Sequence, residues 1–476
     1  MRKTKIVSTL GPASNDLKTI KALINAGANI FRFNFSHGDH AEQLGRMNLV
    51  KQAMQETGVK VGLMLDTKGA EIRTTATTDG KKVEYATGDK IILSMNTGKL
   101  SEKGAVDITY GGLYDDVEIG HHVLFDDGLL DTEIIAKDAD KRELTLEVQN
   151  PAALGSKKGV NSPGVSLQLK GITDKDKDDI RFGVAQGINF IAASFVRKVS
   201  DVQEIKDVLK EVGGEDVLII PKIESQEGIN NASDILAVAD GLMVARGDMG
   251  IEIPYEEVVA VEQELIHKCN LVGKPVITAT QMLDSMQENP RPTRAEVTDV
   301  AFAVLQGTDA TMLSGESANG DYPVQSVHTM AVIDERADKM LPKHSPVLDE
   351  LKQSGSITTT TAIAAVTAAE RVNAKAIIAL TASGYTARQI SRLKPEAPIL
   401  AVTYDERTAS SLLLSWNVTP VVFDKGQEFE ALVADAEAKL VAAGELTAGD
   451  VVVIVAGLPL YEPGSTNNVM LRRIAD

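Results

Sequence analysis

Residues 216–248 read DVLIIPKIESQEGINNASDILAVADGLMVARGD. Positions 217–220 and 242–245 are short apolar runs, bounded by turn signals and about one helix apart, the pattern of two buried parallel strands joined by a helix. Each run ends in charge. Lys222 and Glu224 leave the first, spaced to point the same way if the strand continues, and Asp248 leaves the second after Arg246 and Gly247. Two carboxylates at adjacent strand ends suit Mg²⁺, which takes one or two carboxylates plus substrate oxygens, with the lysine a compact positive charge beside it. The plainer alternative is a structural salt bridge between Lys222 and an acid. The catalytic reading is favoured because the C-terminal rim of a barrel is where catalytic residues arise.

Outward from this segment the same unit repeats. Strand-like runs at 5–10, 30–35, 61–67, 190–195, 217–224, 242–248, 275–280 and 310–315 alternate with helical patterns at 16–26, 41–56, 174–186, 199–211, 258–271 and 297–305. This predicts an α/β chain built on a (β/α)₈ TIM barrel. The rhythm breaks between 70 and 164, where shorter β-type runs are separated by turn signals such as Asp79-Gly80, Gly111-Gly112 and Asp127-Gly128. That stretch reads as a small β-barrel domain inserted after the third strand, hanging over the rim as a lid. His121 and His122 within it read as surface or strand residues, since neighbours on a strand face opposite ways. The stretch LPKHSPVLDELKQSGS at 341–356 reads as a linker to a carboxy-terminal α/β unit. The expected division is 1–69 with 165–342 as the barrel, 70–164 as the lid and 343–476 as the last domain. In that last domain TASGYTA, 381–387, follows a strand and opens a helix, which puts hydroxyls and N–H groups at a positive helix end. It reads as an anion site, or more plainly as a capped helix start.

Composition narrows the partners. The 476 residues carry a net charge of −18 with 43% hydrophobic and 24% charged residues, an ordinary globular balance that disfavours nucleic acid and anionic membrane. Any site for an anionic substrate must be locally positive. Cys269 is the only cysteine and the seven histidines are scattered, so no intramolecular disulfide and no zinc-type cluster is expected. The start, MRKTKIVSTLG, lacks a signal peptide's apolar region and no run is long enough to span a bilayer, so a cytoplasmic location is expected. Neither G-x-x-x-x-G-K-[ST] nor G-x-G-x-x-G occurs, so a bound nucleotide is not held by a standard phosphate loop.

The strings at the strand ends closely resemble the pyruvate kinase family over essentially the whole length: KIVSTLGPAS (5–14), FRFNFSHG (31–38), LDTKGAEIR (65–73), KGVNSPG (158–164), PKIES (221–225), VARGDMGIEIP (244–254), TATQMLDSM (278–286), NPRPTRAE (289–296) and MLSGES (312–317). The resemblance implies transfer of a phosphoryl group from phosphoenolpyruvate to ADP, giving pyruvate and ATP, in a bacterial-type chain that stops short of an extra carboxy-terminal domain. It implies Mg²⁺ (or Mn²⁺) on Glu224 and Asp248, and K⁺ on Asn34, Ser36, Asp66 and Thr67. Lys222 and Arg32 are implied to neutralise the phosphoryl, Gly247 to admit the substrate carboxylate, and Thr280 to lie near the methylene carbon, protonating it through water. Asn34, His37, Arg73 and Lys158 are implied as nucleotide contacts. Also implied are a homotetramer and a phosphorylated sugar, fructose 1,6-bisphosphate first, at Thr381, Ser383, Gly384 and Thr386. Tyr385 stands where some relatives have a basic residue, and the loop 457–465 has no Arg or Lys for a second phosphate. A monophosphate is therefore favoured, with Arg388 a source of charge. Glu71 occupies the position at which K⁺-dependent relatives carry Glu. Ala70, Gln168 and Lys170 depart from the family at the lid hinges. A Mg²⁺-dependent lyase or mutase acting on pyruvate enolates is the rival enzyme, and a phosphometabolite-binding scaffold the non-enzymatic rival. The first needs neither Lys158 nor the lid nor the K⁺ ligands, and the second is free to lose Lys222 or Thr280.

Overall fold

A computed structural model describes residues 2–342, 345–423, 428–460 and 464–475. Parts of the expected linker (343–344) and of the loop after residue 457 (461–463) therefore lie outside the described residues. Eight short runs rich in Val, Ile, Leu and Met form parallel strands: β1 (Lys5–Leu10), β2 (Ile30–Asn34), β3 (Gly62–Asp66), β4 (Phe190–Ala193), β5 (Leu218–Ile223), β6 (Leu242–Ala245), β7 (Val276–Ala279) and β8 (Ala310–Leu313). They close in chain order into a barrel, with β8 returning to β1 so that Lys5 lies opposite Ala310 and Ser8 opposite Leu313. Inside, Val7, Ile30, Met64, Phe190, Ile220, Met243, Ile277 and Met312 fill the barrel. The outward residues of the same strands pack under the helices, as buried parallel strands must. Side chains cap several helices: Asp16 accepts from the Thr19 amide, and Thr173 with Asp176, and Thr293 with Glu296, form reciprocal boxes. The segment joining β5 and β6 is two short helices, Gln226–Asn230 and Ala232–Val238.

Between β3 and β4 the chain leaves the barrel to build a six-stranded curled sheet and a two-stranded ribbon, Val83–Tyr85 with Ala152–Leu154. The sheet's edge strands are Ala105–Ile108 and Val160–Asn161. The incoming chain joins those edges: Thr74 bridges to Ile108 and Arg73 to Gly159. The insertion thus closes on itself around its own core of Ile91, Leu93, Val106, Phe125, Leu144 and Leu146. His122 pairs with Asp131 at 2.7 Å and His121 accepts from the Glu118 amide.

The carboxy-terminal unit is a five-stranded sheet ordered 418–422, 399–403, 376–380, 451–457, 466–473. Its last strand, Thr466–Arg473, runs antiparallel, and sequence reading missed it because TNNVMLRR is polar and half-exposed. The helix Pro323–Asp338 was also missed; it packs against the helix Leu17–Ala26. Leu414 from this unit is fully buried in the barrel's interior cluster. Trp416 beside it donates from its indole to Asp338 and from its amide to Asp309. The last domain is therefore seated on the barrel end opposite the rim. No helix among the described residues is long and apolar enough to cross a membrane.

Candidate functional site

At the C-terminal ends of β2 to β5 a chain of buried polar contacts replaces the apolar filling. Lys222, 9% exposed, places its ammonium 2.9 Å from the Ser194 hydroxyl, 2.9 Å from Glu224 Oε1 and 3.5 Å from Asp66 Oδ1. Asp66 Oδ2 accepts from Arg32 Nε at 2.6 Å, and Arg32 Nη1 donates to Thr9 Oγ1 at 3.0 Å. Asn34 and Asp66 are register partners on β2 and β3. The other Glu224 oxygen accepts from the Phe195 amide at 2.6 Å.

The charges tune one another. Burial pushes the Asp66 carboxyl up, but Arg32 and Lys222 outweigh it and hold the group below its usual range. Burial pulls Lys222 down, and Asp66 and Glu224 more than reverse that, so it stays charged. Glu224 goes the other way: burial, helped by the Asp248 charge and opposed by Lys222, pushes it up to about 7. A buried carboxyl raised by a neighbouring carboxylate is a place where a cation is favourable. Glu224 and Asp248 share the wall of a cavity of about 420 Å³ between rim and lid. Their all-oxygen chemistry fits a hard divalent ion. The oxygens of Asn34, Ser36, Asp66 and Thr67 likewise fit K⁺ by donor type. Some of them are already engaged: Asn34 Oδ1 takes the Ser36 amide, and Thr67 accepts from Ser194 at both its carbonyl and its hydroxyl.

Arg73 and Lys158 line the same cavity from the lid side, Arg73 paired to Glu71 at 2.7 Å and Lys158 to Asp126 at 2.8 Å. Asn34 and His37, expected with them, are not in that wall, and His37 is exposed. Glu71 is held by Lys68 as well as Arg73. Its charge is therefore paired within the hinge segment itself. Gly247 donates its amide to Thr280 Oγ1 at 2.6 Å, while that hydroxyl donates to the Ala279 carbonyl at 2.6 Å. Thr280 and Gln281 both sit at positive φ, 71° and 55°, a strained turn for residues with a side chain.

Two residues that sequence reading passed over, Ser194 and Thr9, and one it named without a role, Arg246, hold this arrangement. Ser194 connects Lys222, Asp66 and Thr67; it stands at the exit of a recognised strand, but a search for charge overlooks a hydroxyl. Thr9 meets Arg32. Arg246, ion-paired to Asp299 at 2.6 Å and Glu262 at 3.2 Å, donates to the carbonyls of Ala279 and Thr280 and so braces the strained turn.

A barrel whose rim presents this cluster under an inserted lid matches a known family at every level. The chain matches the family profile "Pyruvate kinase, barrel domain" over residues 1–327 and "Pyruvate kinase, alpha/beta domain" over 359–471. The chain belongs to the pyruvate kinase family. It is 55% identical to a pyruvate kinase of Lactobacillus delbrueckii subsp. bulgaricus and 47% identical to one of Bacillus licheniformis, covering 100% of this chain and 81% of each relative. A crystal structure of a pyruvate kinase from Cryptosporidium parvum superposes with a TM-score of 0.93 at 36% identity, over 99% of this chain and 96% of that one. The pyruvate kinase relatives mark the chain as a phosphotransferase.

A second, separate pocket in the carboxy-terminal unit is lined by Thr381, Ser383 and Thr386 with Thr403, Tyr404, Phe423 and Ser465. Gly384 caps the following helix, Tyr385–Ser391, at φ 78°. Arg388 is not in its wall. Its guanidinium turns back to the Ser383 carbonyl at 3.0 Å and lines a crevice with Asn270, Gly273 and Arg392, so it does not supply the charge expected of it.

Proposed function

We propose that the chain transfers the phosphoryl group of phosphoenolpyruvate to ADP, with the barrel (1–69 and 165–342), lid (70–164) and carboxy-terminal unit (343–476) as its three domains. The observation that carries this is the Lys222 ammonium, buried yet kept charged by Asp66 and by Glu224, the latter lining a cavity that Arg73 and Lys158 line from the lid. Phosphoryl transfer is run by positioning and charge neutralisation rather than by covalent chemistry on the protein. Lys222 and Arg32 take the phosphoryl oxygens as the bond from phosphorus to the enol oxygen breaks and one to a terminal oxygen of ADP forms. Arg73 and Lys158, with Asn34 and His37 at the rim edge, receive the nucleotide. The Gly247 backbone admits the substrate carboxylate, because nothing there projects into its path. Glu224 and Asp248 would hold a divalent ion, which when bound would supply charge stabilisation of the developing enolate. Thr280 directs a water toward the methylene carbon, since its own proton is committed to the Ala279 carbonyl and a threonine is too weak an acid to act alone.

K⁺ at Asn34, Ser36, Asp66 and Thr67 completes the proposal, as do a cytoplasmic homotetramer and activation by a phosphorylated sugar at Thr381, Ser383, Gly384 and Thr386. The pocket beside those hydroxyls supports the last point. A coupled assay for pyruvate, run with and without ADP, tests the reading: pyruvate formed only with ADP supports it, and pyruvate formed equally without ADP refutes it.

A further inference from the structure

Two chain segments connect the barrel to the lid, and backbone groups of each are held by a single barrel side chain, with the Ser166 hydroxyl adding a contact to Glu227 at 3.2 Å in the returning one. In the outgoing segment the Lys68 and Gly69 amides donate to Asp176 Oδ1 at 3.0 and 3.1 Å. Gly69, at φ 72°, lies so close that an added Cβ would meet Ser194 Cβ and a Phe195 ring carbon at 2.9 Å. The returning segment, 165–170, has no regular secondary structure, so its carbonyls have no ladder partners and need donors from elsewhere. On the lid side, Leu167 and Leu169 pack against the lid's apolar core and the Gln168 amide donates to Asp116. On the barrel side one residue meets the carbonyls. Arg197, 6% exposed, donates from Nη1 to Leu167 O at 2.9 Å and from Nη2 to Leu169 O at 2.8 Å and Lys170 O at 3.3 Å. Its own backbone is pinned to the barrel, the amide to Asp201 Oδ2 at 2.9 Å and the carbonyl to Asn231 Nδ2 at 2.8 Å.

Arg197 closes a four-residue loop that begins with Ser194, the contact of Lys222, and Phe195, whose amide holds Glu224. Phe195 sits at φ 56°, a conformation that persists only when its surroundings enforce it. We propose that Arg197 is a positioning residue that ties the lid's returning connector to the loop holding Lys222 and Glu224, so that the seat of the lid and the alignment of those two side chains are set together. The tie reads only backbone carbonyls, so Gln168 and Lys170, unusual as side chains at this hinge, leave it intact. It also requires arginine: a planar fork reaches three carbonyls at once, where a single ammonium on a flexible stem does not.

The kinetic half of the test rests on the phosphotransfer reading; the exchange half does not. The full-length chain is compared with Arg197→Met, which keeps the stem and removes the fork, and Arg197→Lys, which keeps the charge and guards against a misfolded Met variant. Hydrogen–deuterium exchange at 165–171 is expected to quicken by roughly ten- to a hundredfold in Arg197→Met, the equilibrium worth of one or two charge-assisted hydrogen bonds. Arg197→Lys should fall in between, with the barrel strands unchanged in both. The KM for ADP should rise about tenfold in Arg197→Met with a smaller fall in kcat, and Lys should restore part of it. Unchanged exchange at 165–171 in either folded variant overturns the proposal, as does a fall in kcat with the ADP KM unchanged. A wild-type chain that forms no pyruvate defeats the phosphotransfer reading and leaves the exchange result to decide the tie.

Discussion

Replacing Lys222 by Met keeps the length and most of the bulk of the stem and deletes one buried charge. That charge lies 2.9 Å from Glu224 and 3.5 Å from Asp66. At an effective dielectric of about 20 these separations correspond to gross attractions of roughly 6 and 5 kcal/mol, most of which only offsets the cost of burying the ions. The two carboxylates fare differently once the lysine is gone. Asp66 keeps Arg32 at 2.6 Å and stays ionised. Glu224, already at about 7 with burial its largest influence, loses its one opposing cation and takes up a proton. The folded chain thereby avoids an unpaired buried charge, and the stability loss stays near the low end of the 3–5 kcal/mol typical of a broken buried pair, about 3 kcal/mol. Catalysis has no such escape, because nothing else on β5 reaches the same place. A well-placed electrostatic contact contributes roughly 3–4 kcal/mol to a transition state, so the rate should fall by about 10²–10³ or more. The assay is coupled pyruvate release at saturating substrates, beside a thermal melt of the same preparation. Wild-type turnover in a folded Lys222→Met chain would refute the reasoning, since the ammonium would then be a structural tie alone.

Activity should require K⁺: replacing it with tetramethylammonium at equal ionic strength should remove most of the rate, and equal rates in both would eliminate a cation role for Asn34, Ser36, Asp66 and Thr67. Ser383→Asp should weaken activation by a phosphorylated sugar about tenfold or more while the unstimulated rate is kept, because it sets negative charge in the pocket wall beside the phosphate. An unaltered activation curve would place the effector elsewhere. The Lys5 ammonium, turned inward onto the Val418 carbonyl at 2.8 Å, is lowered to about 8 by burial first and Arg2 second, against the opposing Asp338 and Asp309. In the pH interval between about 8 and the unfolded value of 10.5 the unfolded chain binds the extra proton, so stability contributed by this group rises with pH there. Urea midpoints of wild type and Lys5→Met should accordingly diverge in favour of wild type by about 1–3 kcal/mol over that interval, and parallel curves would show that Lys5 titrates as an ordinary lysine.

The barrel was readable because its period is redundant. Each strand is a short apolar run that must be buried on both faces, and most are followed by a helical pattern, several with a side-chain cap, so the weak signals reinforce one another. The elements that escaped notice lack that redundancy. Thr466–Arg473 is an edge strand exposed on one side, and its polar side chains carry no alternation. The way the last domain meets the barrel rests on scattered single contacts, such as Leu414 buried inside the barrel and Trp416 bonded to Asp309 and Asp338, which no local pattern announces. The lid's closure is held by the bridges at Arg73 and Thr74, single pairings too short to register as a strand.

At the site, what could be read was charge, and what could not was everything that aims it. Lys222, Glu224 and Asp248 stand out because a buried sheet has no use for them, and Arg32 and Asp66 follow for the same reason. Ser194 and Thr9 are ordinary residues in sequence; they matter only because folding puts a hydroxyl between two strands, within 2.9 Å of an ammonium or 3.0 Å of a guanidinium. Glu71 shows the reverse case: its charge is visible in the sequence, but only the fold shows that Lys68 and Arg73, within the same six residues, both pair with it. Thr280 shows the deepest limit. The residue type is compatible with donating a proton, yet its hydrogen goes to Ala279 and its lone pair to Gly247 in a strained turn braced by Arg246. The direction of a hydrogen bond is set by backbone geometry that only the closed barrel supplies, so the reason a proton would pass through water rather than from Thr280 itself lies in the fold and not in the residue's identity.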